Sequence, residues 1–180
     1  MRIHRPLAAA LVLLALAGCD RPPAKEYDYP AWGFAATFKT PPRVKESPAK
    51  ADGTPRGFTV IEDEGADDFS IYVGEVGPTP KTIDQVADIG APILAKAVGG
   101  DVGSRTSVAT APTETQAIGR KVSITRNGQP FLELRIFLVN GRYYQVAGRT
   151  SSGPQDPDAQ AFLDSFHIIP APPVAANAPR

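Results

Sequence analysis

Two Asn-Gly pairs, Asn127-Gly128 and Asn140-Gly141, separate three stretches rich in β-branched and apolar residues, at 118–125, 131–139 and 142–148. Asparagine and glycine both tolerate the left-handed backbone of a tight hairpin turn, so this pattern limits the second half of the chain to an antiparallel meander. Side-chain parity then bears on the register. Two-residue turns set Val122 against Glu133 and Leu134 against Ala147. Three-residue loops, with glycine in the left-handed position, set Val122 against Leu132 and Leu134 against Val146. The second register keeps one face apolar and is the one expected, because a slip of one residue moves every side chain to the opposite face.

That register puts Ile118, Val122, Ile124, Leu132, Leu134, Ile136, Leu138, Tyr144 and Val146 on the main core face. Lys121, Glu133, Arg135, Phe137, Tyr143 and Gln145 share the other. There Lys121 faces Glu133 and Phe137 faces Tyr143, pairs that contribute ~0.2–1 kcal/mol each.

Earlier strands are expected at 34–38, which stops before Pro41-Pro42, and at 58–61 and 69–76; a further one is expected at 106–110. The acidic stretch Glu62 to Asp68 reads as an exposed hairpin loop. Its carboxylates could attract calcium, but they lack the ordered alternation of a calcium loop, so no metal is expected. Thr82-Ile83-Asp84-Gln85 has the capping-box form and opens a helix that Gly99-Gly100 closes. Its buried stripe is expected to be Ile83, Val86, Ala87, Ile93, Leu94 and Ala97, with a kink at Pro92. Asp156-Pro157-Asp158 starts a second helix, with Ala159, Phe162, Leu163 and Phe166 on its apolar side.

The chain's ends have a different character. Arg2 and Arg5 precede an apolar run from Leu7 to Leu16, and Leu16-Ala17-Gly18-Cys19 closes it. This resembles the bacterial lipobox, which implies removal of residues 1–18 and lipidation of Cys19. The run is shorter than the about 20 apolar residues of a membrane-spanning helix. Asp20 resembles the inner-membrane retention signal of enteric lipoproteins. Residues 19–30 are expected to be a lipidated tether, 31–169 a single α+β domain, and 170–180 a disordered Pro/Ala-rich tail.

Cys19 is the only cysteine, so once it is lipidated the domain has no thiol for catalysis, disulfide exchange or zinc. The 19 basic and 19 acidic residues balance, and loss of Arg2 and Arg5 leaves a slight acidic excess. Such a charge does not suit a nucleic-acid binder. Of the two histidines His4 leaves with the signal, and His167 directly follows the second helix, better placed for helix-end carbonyls than for a serine triad. Gly99-Gly100 and Gly103 follow a helix, whereas phosphate-cradling loops precede one.

The order of strands, capped helix, meander and short closing helix is similar to that of the PsbP-like superfamily. The residues that carry the resemblance are Gly33-Phe34…Phe38…Pro42, Gly141-Arg142-Tyr143-Tyr144-Gln145-Val146 and Phe162-Leu163-Asp164-Ser165-Phe166. It implies an antiparallel sheet of about six to seven strands with helices packed on both sides, and an accessory or binding role without a shared catalytic motif.

The expected protein is therefore a non-catalytic envelope lipoprotein facing the periplasm, without a cofactor, held in a membrane by Cys19 and bound to another envelope protein. A carrier of a small apolar ligand, held between the sheet and the helix around Pro92, is the alternative. The face with Lys121, Glu133, Arg135, Phe137, Tyr143 and Gln145 is the candidate interaction surface, unless a helix covers it.

Overall fold

Both Asn-Gly pairs form two-residue turns in which both central residues have positive φ: 52° and 74° at Asn127-Gly128, 50° and 76° at Asn140-Gly141. This is the primed geometry whose twist matches that of the flanking strands. The computed structural model describes residues 23–50, 56–64, 67–76, 81–113 and 115–171. The expected signal segment, Cys19 and the tail beyond residue 171 lie outside them.

In chain order the elements are β1 (Lys25–Tyr29), β2 (Phe34–Phe38), β3 (Arg43–Ser47), β4 (Gly57–Glu64), β5 (Asp67–Glu75) and α1 (Ile83–Ala97). They continue with β6 (Asp101–Ala109), β7 (Ile118–Arg126), β8 (Gln129–Val139), β9 (Arg142–Arg149), α2 (Pro157–Ser165) and β10 (His167–Ile168). A seven-stranded antiparallel sheet runs in the order β3-β4-β5-β9-β8-β7-β6, and β1-β2-β10 form a second, smaller sheet. Helix α1 packs on one face of the large sheet, against β6, β7 and β8. Helix α2 and the small sheet pack on the other.

The register departs from the expected one. Leu134 pairs with Ala147 and Phe137 with Tyr144, as a two-residue turn dictates. Between β7 and β8 a bulge near Thr125 and Pro130 brings Val122 opposite Leu134 and Lys121 opposite Arg135. Proline cannot donate to the ladder, and a bulge is where a sheet tolerates it. The parity argument assumed that only one face is buried. Here both are, so Tyr144 and Val146 join the second core without exposing anything. Ile118, expected in the core, is 62% exposed at the sheet's margin.

The small sheet was only partly legible. β1 occupies residues expected to be tether, and its charged Lys25, Glu26 and Asp28 mask an alternation in which Tyr27 and Tyr29 pack inward against Phe38, Phe34 and Phe58. β3 is an edge strand whose Arg43 and Lys45 are exposed, the usual guard against edge-to-edge pairing. The acidic stretch is not an open loop up to Glu64. Glu62 is buried opposite Phe69, and its carboxylate accepts from Lys39 N at 3.2 Å, Thr40 Oγ1 at 2.8 Å and Thr40 N. Gly65 and Ala66 lie outside the described residues, among which no group of His, Cys, Asp and Glu could hold a metal.

Helix ends follow the sequence closely. Thr82 and Gln85 form the reciprocal capping box. Gly100 N donates to Ala95 O at 2.8 Å and Gly99 N to Lys96 O at 3.2 Å, with Gly99 at φ 67°, which is the Schellman ending. Asp156 caps α2, and Ala159, Phe162, Leu163 and Phe166 are all buried. Helix α1 runs through Pro92 without interruption, but its buried stripe is Val86, Ala87, Gly90, Ala91 and Ala95. Small residues let the helix approach the sheet, and Ile93, expected inside, is 66% exposed.

Candidate functional site

The corrected register divides the six residues of the expected interaction face. Lys121, Glu133, Arg135 and Phe137 lie on the side of α2 and the small sheet, while Tyr143 and Gln145 lie on the side of α1. The two groups do different things.

Glu133 and Arg135 stand two residues apart on β8, so their side chains emerge together, and both are buried. Arg135 Nε donates to Glu133 Oε1 at 2.8 Å, Nη1 to Asp164 at 2.6 Å and Nη2 to Gln160 at 3.2 Å. Gln160 Nε2 donates in turn to Glu133 Oε2 at 3.2 Å and to Pro154 O at 2.7 Å. Lys121 reaches Glu133 from the margin at 3.7 Å. Phe137 stacks on Phe166, with ring centroids 5.4 Å apart. Every polar arm of this cluster has a partner inside the molecule. It fastens α2 to the sheet, and leaves Arg135 and Phe137 nothing to offer a partner protein.

Tyr143 and Gln145 face a different setting. Helix α1 covers β6 to β8, and beyond its edge lies a groove of roughly 240 Å³ floored by Tyr143 and Gln145. Val86, Gly90, Ile89 and Ile93 of α1 form one wall, and Glu75, Val76 and Lys81 form the other end. The Tyr143 ring lies 5.6 Å from that of Tyr72, and the two phenols share a hydrogen bond. A Cβ on Gly74 would stand 2.4 Å from the Tyr143 ring, so glycine at that position lets the ring lie across β5. Burial, and then the bond to Tyr72, hold the Tyr143 phenol well above the ordinary tyrosine value. The lining is mostly apolar, and Ile89 and Ile93, one helical turn apart, are 53% and 66% exposed along its rim.

Two ion pairs seat α1 beside this groove. Arg120 grips Asp84 with both Nε (2.7 Å) and Nη2 (2.9 Å), and Arg105 reaches Asp88 at 2.7 Å. The hydrogen bond from Arg120 holds the Asp84 carboxyl below its usual range. Sequence reasoning placed Tyr143 and Gln145 in the site but missed Ile89 and the exposure of Ile93. The run of small residues at 87, 90, 91 and 95 was the available signal, since it marks the side of α1 that must approach closest.

His167 has its Nδ1 3.0 Å from the Ser165 carbonyl oxygen, in the helix-end position expected of it.

Two layers of helix and small sheet around a central antiparallel sheet define a PsbP-like α+β fold. It is shared with the solution structure of the cyanobacterial PsbP from Synechocystis sp. PCC 6803. That match has a TM-score of 0.51 and 12% sequence identity, and covers 81% of this chain and 92% of that one. At such identity the likeness concerns the fold. No family model matches the sequence, and no curated protein matches it significantly.

Proposed function

We propose that this chain is a non-catalytic accessory module that binds another protein of the cell envelope through the groove beside α1. Residues 1–18 would act as its signal peptide, and lipidated Cys19 would hold it in the membrane, facing the periplasm. The carrying observation is the pairing of Ile89 and Ile93, exposed on the helix rim, with the half-buried aromatic floor of Tyr143. Contiguous exposed apolar side chains beside an aromatic on a rigid strand suit a protein interface. The accessory role is also what the PsbP-like fold suggests. Carriage of a small apolar ligand is the second reading, favoured by the apolar lining. The groove is somewhat smaller than the ~300 Å³ at which ligand pockets begin.

Crosslinking in intact cells, followed by detergent purification and mass spectrometry, tests both readings. A stoichiometric protein that is lost from the Ile89→Asp, Ile93→Asp double variant supports the accessory reading. Recovery of a defined lipid or small molecule alone rejects it for the carrier. Arg135 is unsuited to this test, because its substitution would loosen α2.

A further inference from the structure

On the same face of the sheet as the Arg135 cluster, at the start of β9, a second buried arginine lacks such an ion-pair network. Arg142 is 5% exposed and forms no ion pair with any described residue, and its Nε has no hydrogen-bond acceptor. Glu75, opposite it in the ladder, does not bridge to it. Beside it stands Trp32, 2% exposed, whose indole Nε1 is likewise without an acceptor. The Arg142 guanidinium lies 5.9 Å from the Trp32 ring centroid, and the guanidinium of the exposed Arg56 lies 4.2 Å from the same ring. Tyr144, two residues on along β9 and on the same face, accepts a hydrogen bond from the Arg142 side chain and donates its hydroxyl to Trp32 O at 3.0 Å, fixing the turn that presents the indole.

Two guanidinium groups converging on one ring repel each other, and a buried charge without a counter-charge is costly. Cation–π attraction to Trp32 offsets a part of this, but leaves Arg142 Nε and Trp32 Nε1 without an acceptor. All the unanswered groups are donors and the local charge is positive, which is the chemistry of an oxyanion site. We propose that the corner formed by Trp32, Arg142 and Arg56 binds the carboxylate or phosphate group of an anionic ligand. Arg142 supplies the fixed charge, Trp32 a neutral donor, and Arg56 the charge at the entrance. This site lies on the face of the sheet away from the α1 groove and does not depend on the function proposed for it.

Trp32 is the chain's only tryptophan, so its emission reports on this corner alone. The full-length chain in detergent is titrated with inorganic phosphate and, separately, with acetate, each against sodium chloride at matched ionic strength. Saturable change in Trp32 emission, with a raised thermal midpoint, is expected for at least one anion. A response to phosphate alone assigns a phosphate ligand, and a response to acetate assigns a carboxylate. Arg142→Met is expected to abolish the response. Arg56→Ala, at an exposed position that leaves the fold intact, is expected to weaken it roughly tenfold, the loss of one charge-assisted hydrogen bond. The proposal is overturned if neither anion exceeds the chloride control, or if Arg56→Ala binds as tightly as the parent chain.

Discussion

Arg135 and Arg142 are buried on the same face of the same sheet, 6% and 5% exposed, yet their surroundings are opposite. Arg135 sits in the middle of β8, where α2 brings Asp164 and Gln160 to meet it and Glu133 completes the pairing. Arg142 opens β9, where the turn between β1 and β2 brings a tryptophan ring, the start of β4 brings a second cation, and the Tyr144 hydroxyl is the one neutral acceptor among these. The first arginine is an internal fastener. The second keeps its Nε unengaged and its charge unpaired among the described residues, at a cost to stability, as a fold does where a ligand uses the group. Burial of a charge, then, says little about its role until its partners are counted.

The comparison can be broken by substitution. Arg135→Met leaves Glu133 buried without its principal partner and is expected to destabilise the protein by about 3–5 kcal/mol in chemical denaturation. Arg142→Met removes an unpaired charge, and is expected to stay within about 1 kcal/mol of the parent or to gain stability. A loss comparable to that of Arg135→Met would show that Arg142 is a fastener too. Adding Glu133→Leu to Arg135→Met should recover most of the loss, because the stranded carboxylate leaves with it; failure to recover would place the cost in packing against α2 instead.

Tyr143 offers a smaller and pH-dependent test on the other face. Its pKa is raised in the folded state, so the stability it contributes is complete below the ordinary tyrosine value of 10.0 and is lost as pH rises from there through the folded value. Tyr143→Phe should make alkaline unfolding less steep, with the remaining slope due in part to Tyr29 and Tyr144, whose phenols burial also raises. An unchanged slope would mean that Tyr143 does not stay protonated by virtue of its site. The smallest effect is expected from Ile89→Asp, which should shift stability by no more than about 0.5 kcal/mol at an exposed position while reducing recovery of a bound partner.

Much of this architecture is written locally. Thr82 with Gln85, Gly99-Gly100, Asp156-Pro157 and the two Asn-Gly turns each satisfy backbone groups through neighbours in the chain, so their roles could be read without knowing what packs on them. The candidate site was legible only in part. Tyr143 and Gln145 do line a groove, but Lys121, Glu133, Arg135 and Phe137 were grouped with them through a register that assumed one buried face. β1 went unseen because its tyrosines matter only once β2 and β4 lie beneath them.

The sequence by itself determined where helices start and stop, where hairpins turn, and that the core is an antiparallel α+β one, because those choices are settled by hydrogen bonds and sterics within a few residues. Tertiary structure alone decided the register, the face to which each strand residue turns, and whether a buried arginine is answered. Those depend on what a second layer brings from far along the chain: Asp164 and Gln160 to Arg135, Trp32 to Arg142.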